Sequence, residues 1–159
     1  MIASLEQFLR IRAGTSGLLV ATSGGYDPLH VGHLRSLEAA RRLGDALVVI
    51  VNGDGYLIRK KGYAFMSQEE RMEIIDALRC VDFVVPYDDG TPVVSRAVEL
   101  IGPSIFAKGI SLDDPTRLPE WEACRSVGCR VVLGVGGPKV HSSSRMVAET
   151  AARLPRDPS

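Results

Sequence analysis

The sequence predicts an α/β fold: five strands in a parallel sheet flanked by helices. Short apolar runs rich in Val and Ile alternate with stretches of helical periodicity through most of the 159 residues. The segments that follow those runs, residues 23–31, 52–65, 108–115 and 136–144, hold the glycine-, histidine- and lysine-rich loops. Parallel sheets bind their ligands beyond the carboxyl ends of their strands, so function is expected in those loops.

Residues 1–11 place Ile2, Leu5, Phe8 and Leu9 at helical spacing, and residues 13–17 break that helix. Residues 18–22 form an apolar run and predict the first strand. Residues 31–43 align Leu34, Leu37, Ala40 and Leu43 on one face, and Gly44 ends that helix. Residues 46–51 are the second strand. Ser67 and Glu70 have capping-box spacing and open a helix over 67–78. Residues 83–85 are the third strand. A helix over 91–101 follows, with Pro92 just inside its start. Residues 105–107 are the fourth strand, 118–127 a helix, and 130–135 the fifth strand. A closing helix over 142–153 has three serines at its start and Met146, Val147 and Ala151 on its inner face. The order is that of a Rossmann-like sheet. It divides into an N-terminal helical extension (1–16), a main domain (17–154) and a proline-bearing tail or linker (155–159).

Hydrophobic residues make up 45% and charged residues 24%, which suits a globular chain and excludes global disorder. The formal net charge is zero, so the chain lacks the basic field of a nucleic-acid binder. No apolar run approaches the ~20 residues of a membrane span. Glu6 and Gln7 interrupt the start, which is no signal peptide. Three cysteines, an odd and sparse count, fit the reducing cytoplasm. Cys124 and Cys129 have no second pair to complete a zinc site, and no metal ligands are assigned.

The first loop reads Gly24-Gly25-Tyr26-Asp27-Pro28-Leu29-His30-Val31-Gly32-His33. It joins a strand to a helix whose N-terminus offers backbone N–H groups and partial positive charge, suited to phosphate. Gly24 and Gly25 let the backbone approach a ligand. Gly32 removes a side chain between His30 and His33, which project together from one turn and can donate to phosphate oxygens. Asp27 reads first as a loop-ordering residue. The second loop holds Asn52-Gly53-Asp54 and the basic run Arg59-Lys60-Lys61, suited to an acceptor phosphate. Lys108 ends the fourth strand and reads equally as a phosphate ligand or a surface lysine. Ser142, Ser143 and Ser144 exceed what capping needs and can hold phosphate oxygens. The stretch Gly134-Val135-Gly136-Gly137 hints at a dinucleotide fingerprint, but its spacing and place at the last strand reject it.

The ten-residue first loop resembles the G-x-[FY]-D-x-x-H-x-G-H signature of the cytidylyltransferase-like nucleotidyltransferases. The resemblance runs from about residue 18 to 149. It implies transfer of a nucleotidyl group from a nucleoside triphosphate to the phosphate or phosphonate of a small alcohol, with release of pyrophosphate. CMP transfer from CTP is the favoured form. An adenylyltransferase of the heptose-phosphate kind, using ATP, is the alternative; a nucleotide-binding module without turnover is a second one. The resemblance makes His30 and His33 catalytic and adds Gly24, Gly25, Tyr26, Asp27, Gly32 and Lys108 to the nucleotide site. It gives Lys61 a catalytic, acceptor-anchoring role and brings Asp54 and Arg71 to the acceptor. It matches Ser142, Ser143 and Ser144 to the [IC]-S-[ST]-[ST]-x-[IL] segment that holds the β- and γ-phosphates. It also implies Mg²⁺ carried with the triphosphate, and a homodimer. The chain departs from the pattern twice. Gly25 stands where relatives often have Thr or Cys. Gly137-Pro138-Lys139-Val140 stands where glycerol- and choline-phosphate enzymes carry Arg-Thr-x-Gly, leaving Lys139 or Arg145 to offset the triphosphate charge.

Overall fold

In the computed structural model, which describes residues 1–154, the strands are β1 (Leu19–Gly24), β2 (Ala46–Asn52), β3 (Phe83–Tyr87), β4 (Ile105–Lys108) and β5 (Arg130–Leu133). They form one parallel sheet in the order β3-β2-β1-β4-β5. The helices are α1 (Leu5–Ala13), α2 (Val31–Arg41), α3 (Asp54–Lys61), α4 (Gln68–Asp76), α5 (Ser95–Ile101), α6 (Trp121–Ser126) and α7 (Ser143–Arg153). The predicted tail, residues 155–159, lies outside the described residues.

The Val- and Ile-rich β2 is sealed on both faces, as an interior strand of a parallel sheet must be. Val48 and Ile50 pack with Phe8, Val98 and Phe106 toward α1 and α5. Val49 and Val51 pack with Leu37, Met72 and Ile75 toward α2 and α4. Each such side chain contributes about 1.5–3 kcal/mol on burial. On the outer edge of β3, the amide of Ala3 donates to the Val84 carbonyl at 3.0 Å, and Phe8 packs edge-on against Phe83 at 5.1 Å between ring centroids.

The strand order reverses beside β1, because β2 and β3 lie on one side and β4 and β5 on the other. β1 and β2 stay paired along six residues, from Leu19↔Ala46 to Gly24↔Val51. The pairing of β1 with β4 ends at Ala21↔Phe106. Past that point the two strands separate, opening a cleft at the switch point.

Several elements differ from the sequence expectation. The first helix, expected over 1–11, begins only at Leu5, because Ile2 bridges Val84 and runs extended beside β3. Residues 52–65 are not all loop, since α3 occupies Asp54–Lys61. The helix expected over 91–101 begins only at Ser95. Thr91 bonds the Asp89 carboxylate and the Val93 carbonyl, so side-chain turns hold residues 89–93 out of the helix. The helix expected over 118–127 shortens to α6, which begins only at Trp121, after Pro119 and a preceding 3₁₀ turn (Pro115–Arg117). On α7, Met146 and Val147 are half-buried but Ala151 is exposed, so only its first half meets the body.

Candidate active site

The signature loop is shaped by close contacts at β1's end. A Cβ on Gly24 would stand 3.0 Å from the Tyr26 ring. Tyr26 takes a left-handed φ of 53°, a conformation that costs a non-glycine residue energy. Its ring is buried, edge-on to His33 at 5.1 Å, and burial holds its phenol protonated far above the ordinary range. Leu57 of α3 fills the space beside Gly25, only 2.7 Å from where a Cβ would lie.

Asp27 is 2% exposed and accepts from the amides of Phe65 and Met66 at 2.7 and 2.8 Å. Lys61 Nζ lies 2.8 Å from its carboxylate and donates to its carbonyl at 2.8 Å. Burial alone would raise the pKa of Asp27. The hydrogen bonds and the Lys61 charge overcome it and hold the carboxyl below its ordinary range. The loop-ordering reading of Asp27 therefore matches its contacts.

His30 is the N-cap of α2. Its Nδ1 accepts from the amides of Gly32 at 3.1 Å and His33 at 3.4 Å. His33 Nδ1 reciprocates by accepting from the His30 amide at 3.4 Å. The two rings stack with centroids 3.8 Å apart. An accepting Nδ1 carries no proton, so each neutral ring bears its hydrogen on Nε2. Neither Nε2 has a hydrogen-bond partner among the described residues, and both rings line the cleft. Desolvation, together with the nearby His141 and Lys139, lowers the pKa of His30. Desolvation and the His30 charge push His33 down to about 4. At neutral pH both are therefore uncharged donors, rather than the imidazolium pair that would donate most strongly. Two amides at the start of α2 are also occupied by His30 itself, so they are not open phosphate ligands in this arrangement. Gly32 is required here, because a Cβ would meet the His30 ring at 3.0 Å and Val140 at 3.1 Å.

The cleft encloses about 730 Å³, room for a nucleotide. Of the residues picked from the sequence, Gly24, Tyr26, His30, Gly32, His33, Lys108, Ser142 and Ser143 line it. Lys108 reaches across the gap between β1 and β4, donating to Ser23 Oγ at 2.9 Å and its carbonyl at 3.1 Å. It makes no ion pair among the described residues, and burial pushes its pKa down. Ser142 is the N-cap of α7 but bonds no helix amide, leaving its hydroxyl and the helix N-terminus uncapped. Ser143 donates to the Pro28 carbonyl at 2.8 Å, tying α7 to the signature loop. Ser144 is exposed and lies outside the lining.

The side expected to hold the acceptor is different. Arg71 is 1% exposed, neither a surface residue nor in the cleft. It donates to the carbonyls of Gly25, Asn52 and Met66 and to Asp54 Oδ1 at 2.6 Å. Lys61 and Arg71 are thus paired internally, with Asp27 and Asp54. The cleft's cations, Lys108 and Lys139, have no carboxylate within ion-pair distance among the described residues. Arg145 pairs with Glu149 at 2.6 Å and is not among the residues lining the cleft, so Lys139 alone of the two substitutes lines it.

Sequence reasoning passed over Ser36 and His141. Ser36 of α2 donates to the Val135 carbonyl at 3.0 Å and packs where Cβ atoms on Gly109 and Gly136 would collide with it. Its polar place on an apolar helix face was the available signal. His141 lines the cleft beside His30, and its position directly before the serines was its signal.

The chain is similar to known proteins in sequence and in fold. The chain is 43% identical over 117 residues to the bifunctional protein HldE of Geotalea uraniireducens, covering 72% of this chain and 23% of that protein. It is 36% identical over 136 residues to the bifunctional protein HldE of Blochmanniella pennsylvanica, covering 84% and 26%. The chain thus spans about a quarter of the length of these curated relatives. A lipopolysaccharide core biosynthesis protein from Thermoplasma volcanium shares the fold, with a TM-score of 0.67, 22% identity and coverage of 78% of this chain and 100% of that one. Pantoate-beta-alanine ligase from Francisella tularensis shares it too, at a TM-score of 0.65 and 13% identity over 92% of this chain and 72% of that one. No helix among the described residues is long and apolar enough to cross a membrane. The family described as cytidylyltransferase-like matches residues 21–146, from β1 into α7, and the chain belongs to that family of nucleotidyltransferases.

Proposed function

We propose that this domain transfers an adenylyl group from ATP to the phosphate of a small sugar, a heptose phosphate being the reference case, and releases pyrophosphate. The observation that carries this reading is the similarity to bifunctional HldE proteins, at 43% identity over most of the chain. It favours the adenylyl alternative over the CMP transfer that the sequence reading preferred. Gly137-Pro138-Lys139-Val140, in place of Arg-Thr-x-Gly, supports the same choice.

The acceptor phosphate is already anionic, so it attacks the α-phosphorus without prior activation. The bond from the α-phosphorus to the bridging oxygen breaks, and its electron pair leaves with pyrophosphate. Catalysis is then positioning and charge stabilisation. The Nε2–H groups of His30 and His33 donate to the α-phosphate and the bridging oxygen. Lys108 and Lys139 supply positive charge on the two sides of the cleft. The Ser142 hydroxyl and the uncapped amides at the start of α7, Ser143's among them, receive the pyrophosphate. Gly24 and Gly32 leave room for the triphosphate. Lys61, Asp54 and Arg71 fix the acceptor side, Lys61 by exchanging its carboxylate partner for a phosphate, Arg71 by holding the loops around it.

No group of three metal-ligating side chains occurs among the described residues, and Asp27 is engaged by Lys61 and two amides. Mg²⁺ therefore fits this chain as a companion of the triphosphate, held by phosphate oxygens and water, where it neutralises charge. The test is pyrophosphate release with ATP or CTP against a panel of sugar and alcohol phosphates. Release with ATP and a sugar phosphate is expected. Release confined to CTP would restore the cytidylyl reading. Nucleotide binding without release from any pair would make the domain a binding module.

A further inference from the structure

His141 is the third histidine of the chain and takes no part in the reaction as set out above. It stands in the loop between β5 and α7, directly before the N-cap Ser142. The family pattern matched by this segment has Ile or Cys at that place, where this chain has an imidazole. The side chain is exposed, lines the cleft, and makes no hydrogen bond among the described residues. Its ring meets His30 edge-on, with centroids 5.7 Å apart. His30 stacks on His33, and His33 meets Tyr26, so the four rings form one row along the cleft wall. Lys139, Ser142 and the first residue of α7 line the same cleft.

We infer that His141 binds the leaving pyrophosphate, its ring N–H donating to an oxygen beyond the α-phosphate while His30 and His33 serve the α-phosphate. The inference rests on the nucleotidyl-transfer reading and adds a substrate contact to it. Three observations carry it. An exposed imidazole with no hydrogen bond among the described residues is available for a ligand. The row of rings sets a direction, from the signature histidines toward α7. In the same cleft, Lys139, the Ser142 hydroxyl and the first amides of α7 are all donors with no acceptor among the described residues. A multiply charged anion held by several such donors gains from each hydrogen bond made to it. The leaving group needs no proton from His141, because it departs as an anion. The ring contributes a hydrogen bond.

The test is calorimetric titration of Mg²⁺-pyrophosphate, and separately AMP, into the wild type, His141→Ile and His141→Gln. Pyrophosphate affinity should fall by about tenfold in His141→Ile, the low end for one hydrogen bond to a charged group. AMP affinity should stay within about twofold, because the α-phosphate contacts are intact. The glutamine, which restores an N–H, should recover most of the loss. Equal pyrophosphate affinity in wild type and His141→Ile overturns the inference. A parallel loss of AMP and pyrophosphate binding also overturns it, since that marks a residue that orders the loop. Binding is read without turnover, so an inactive wild type would count against the transfer reaction alone.

Discussion

Replacing Arg71 with methionine should destabilise the fold by about 3–5 kcal/mol, the usual cost of removing one partner from a buried charged network. The guanidinium ties together four separate places. It bonds the signature loop through Gly25 at 2.7 Å, the end of β2 through Asn52 at 2.8 Å, the approach to α4 through Met66 at 3.2 Å, and α3 through Asp54 at 2.6 Å. Methionine fills similar space but leaves three carbonyls without that donor, each costing about 1–3 kcal/mol where water cannot replace it. Asp54 is 42% exposed and adds little, because solvent screens its loss. In a domain of this size each kcal/mol moves the melting temperature by about 2–4 °C, so a fall on the order of 10 °C is expected. Urea and thermal melting read the loss. Arg71→Lys should recover only part of it, since an ammonium cannot span the fork of acceptors. A variant that melts within about 2 °C of wild type, yet binds the acceptor much more weakly, would refute the clamp. It would mean that Arg71 turns outward and holds substrate.

Other expectations follow from the same geometry. His33→Ala should reduce turnover by about 10²–10³, as loss of one preorganised donor does, while the chain stays folded by circular dichroism; an unchanged rate would remove His33 from the mechanism. His33 titrates near 4 in the fold and near 6.5 when unfolded, so between those values the unfolded chain binds more protons. Stability should therefore be complete above pH 6.5 and decline as pH falls toward 4, by at most about 3 kcal/mol from this group. In His33→Gln that part of the urea-midpoint profile should flatten. Gly136→Ala should lower the melting temperature by several degrees, about 1–3 kcal/mol from its positive φ alone. Its φ is +88°, and its Cβ would lie 2.6 Å from the backbone of Ser36. An unshifted melt would show that the loop after β5 is free to move away from α2.

The strands were legible because β2 and its neighbours are sealed on both faces, which forces long Val and Ile runs. The helix α4 was legible from Ser67 and Glu70, whose capping box forms as the spacing implies. Helix α3 was missed because its eight residues hold one buried apolar side chain, Leu57. Its trace was electrostatic: Asp54 in the first turn, Arg59, Lys60 and Lys61 in the last, and Gly62 as a left-handed cap at φ 87°. The histidine pair was legible as a motif. Its roles as mutual cap and neutral donor pair were not, because they depend on which ring nitrogen faces the backbone. Arg71 reads as a surface residue or a ligand by type, since arginine is rarely buried. Only the meeting of α4 with the signature loop makes it a clamp. Lys61 likewise met its partner, Asp27, across 34 residues.

The most direct test of the central claim is ³¹P NMR of the wild type with Mg²⁺, ATP and a heptose phosphate. The account predicts equal amounts of pyrophosphate and of a sugar linked to AMP through a new diphosphate, with the ATP resonances lost in step. Formation of ADP with a newly phosphorylated sugar, or ATP that stays intact while bound in the cleft, would contradict it.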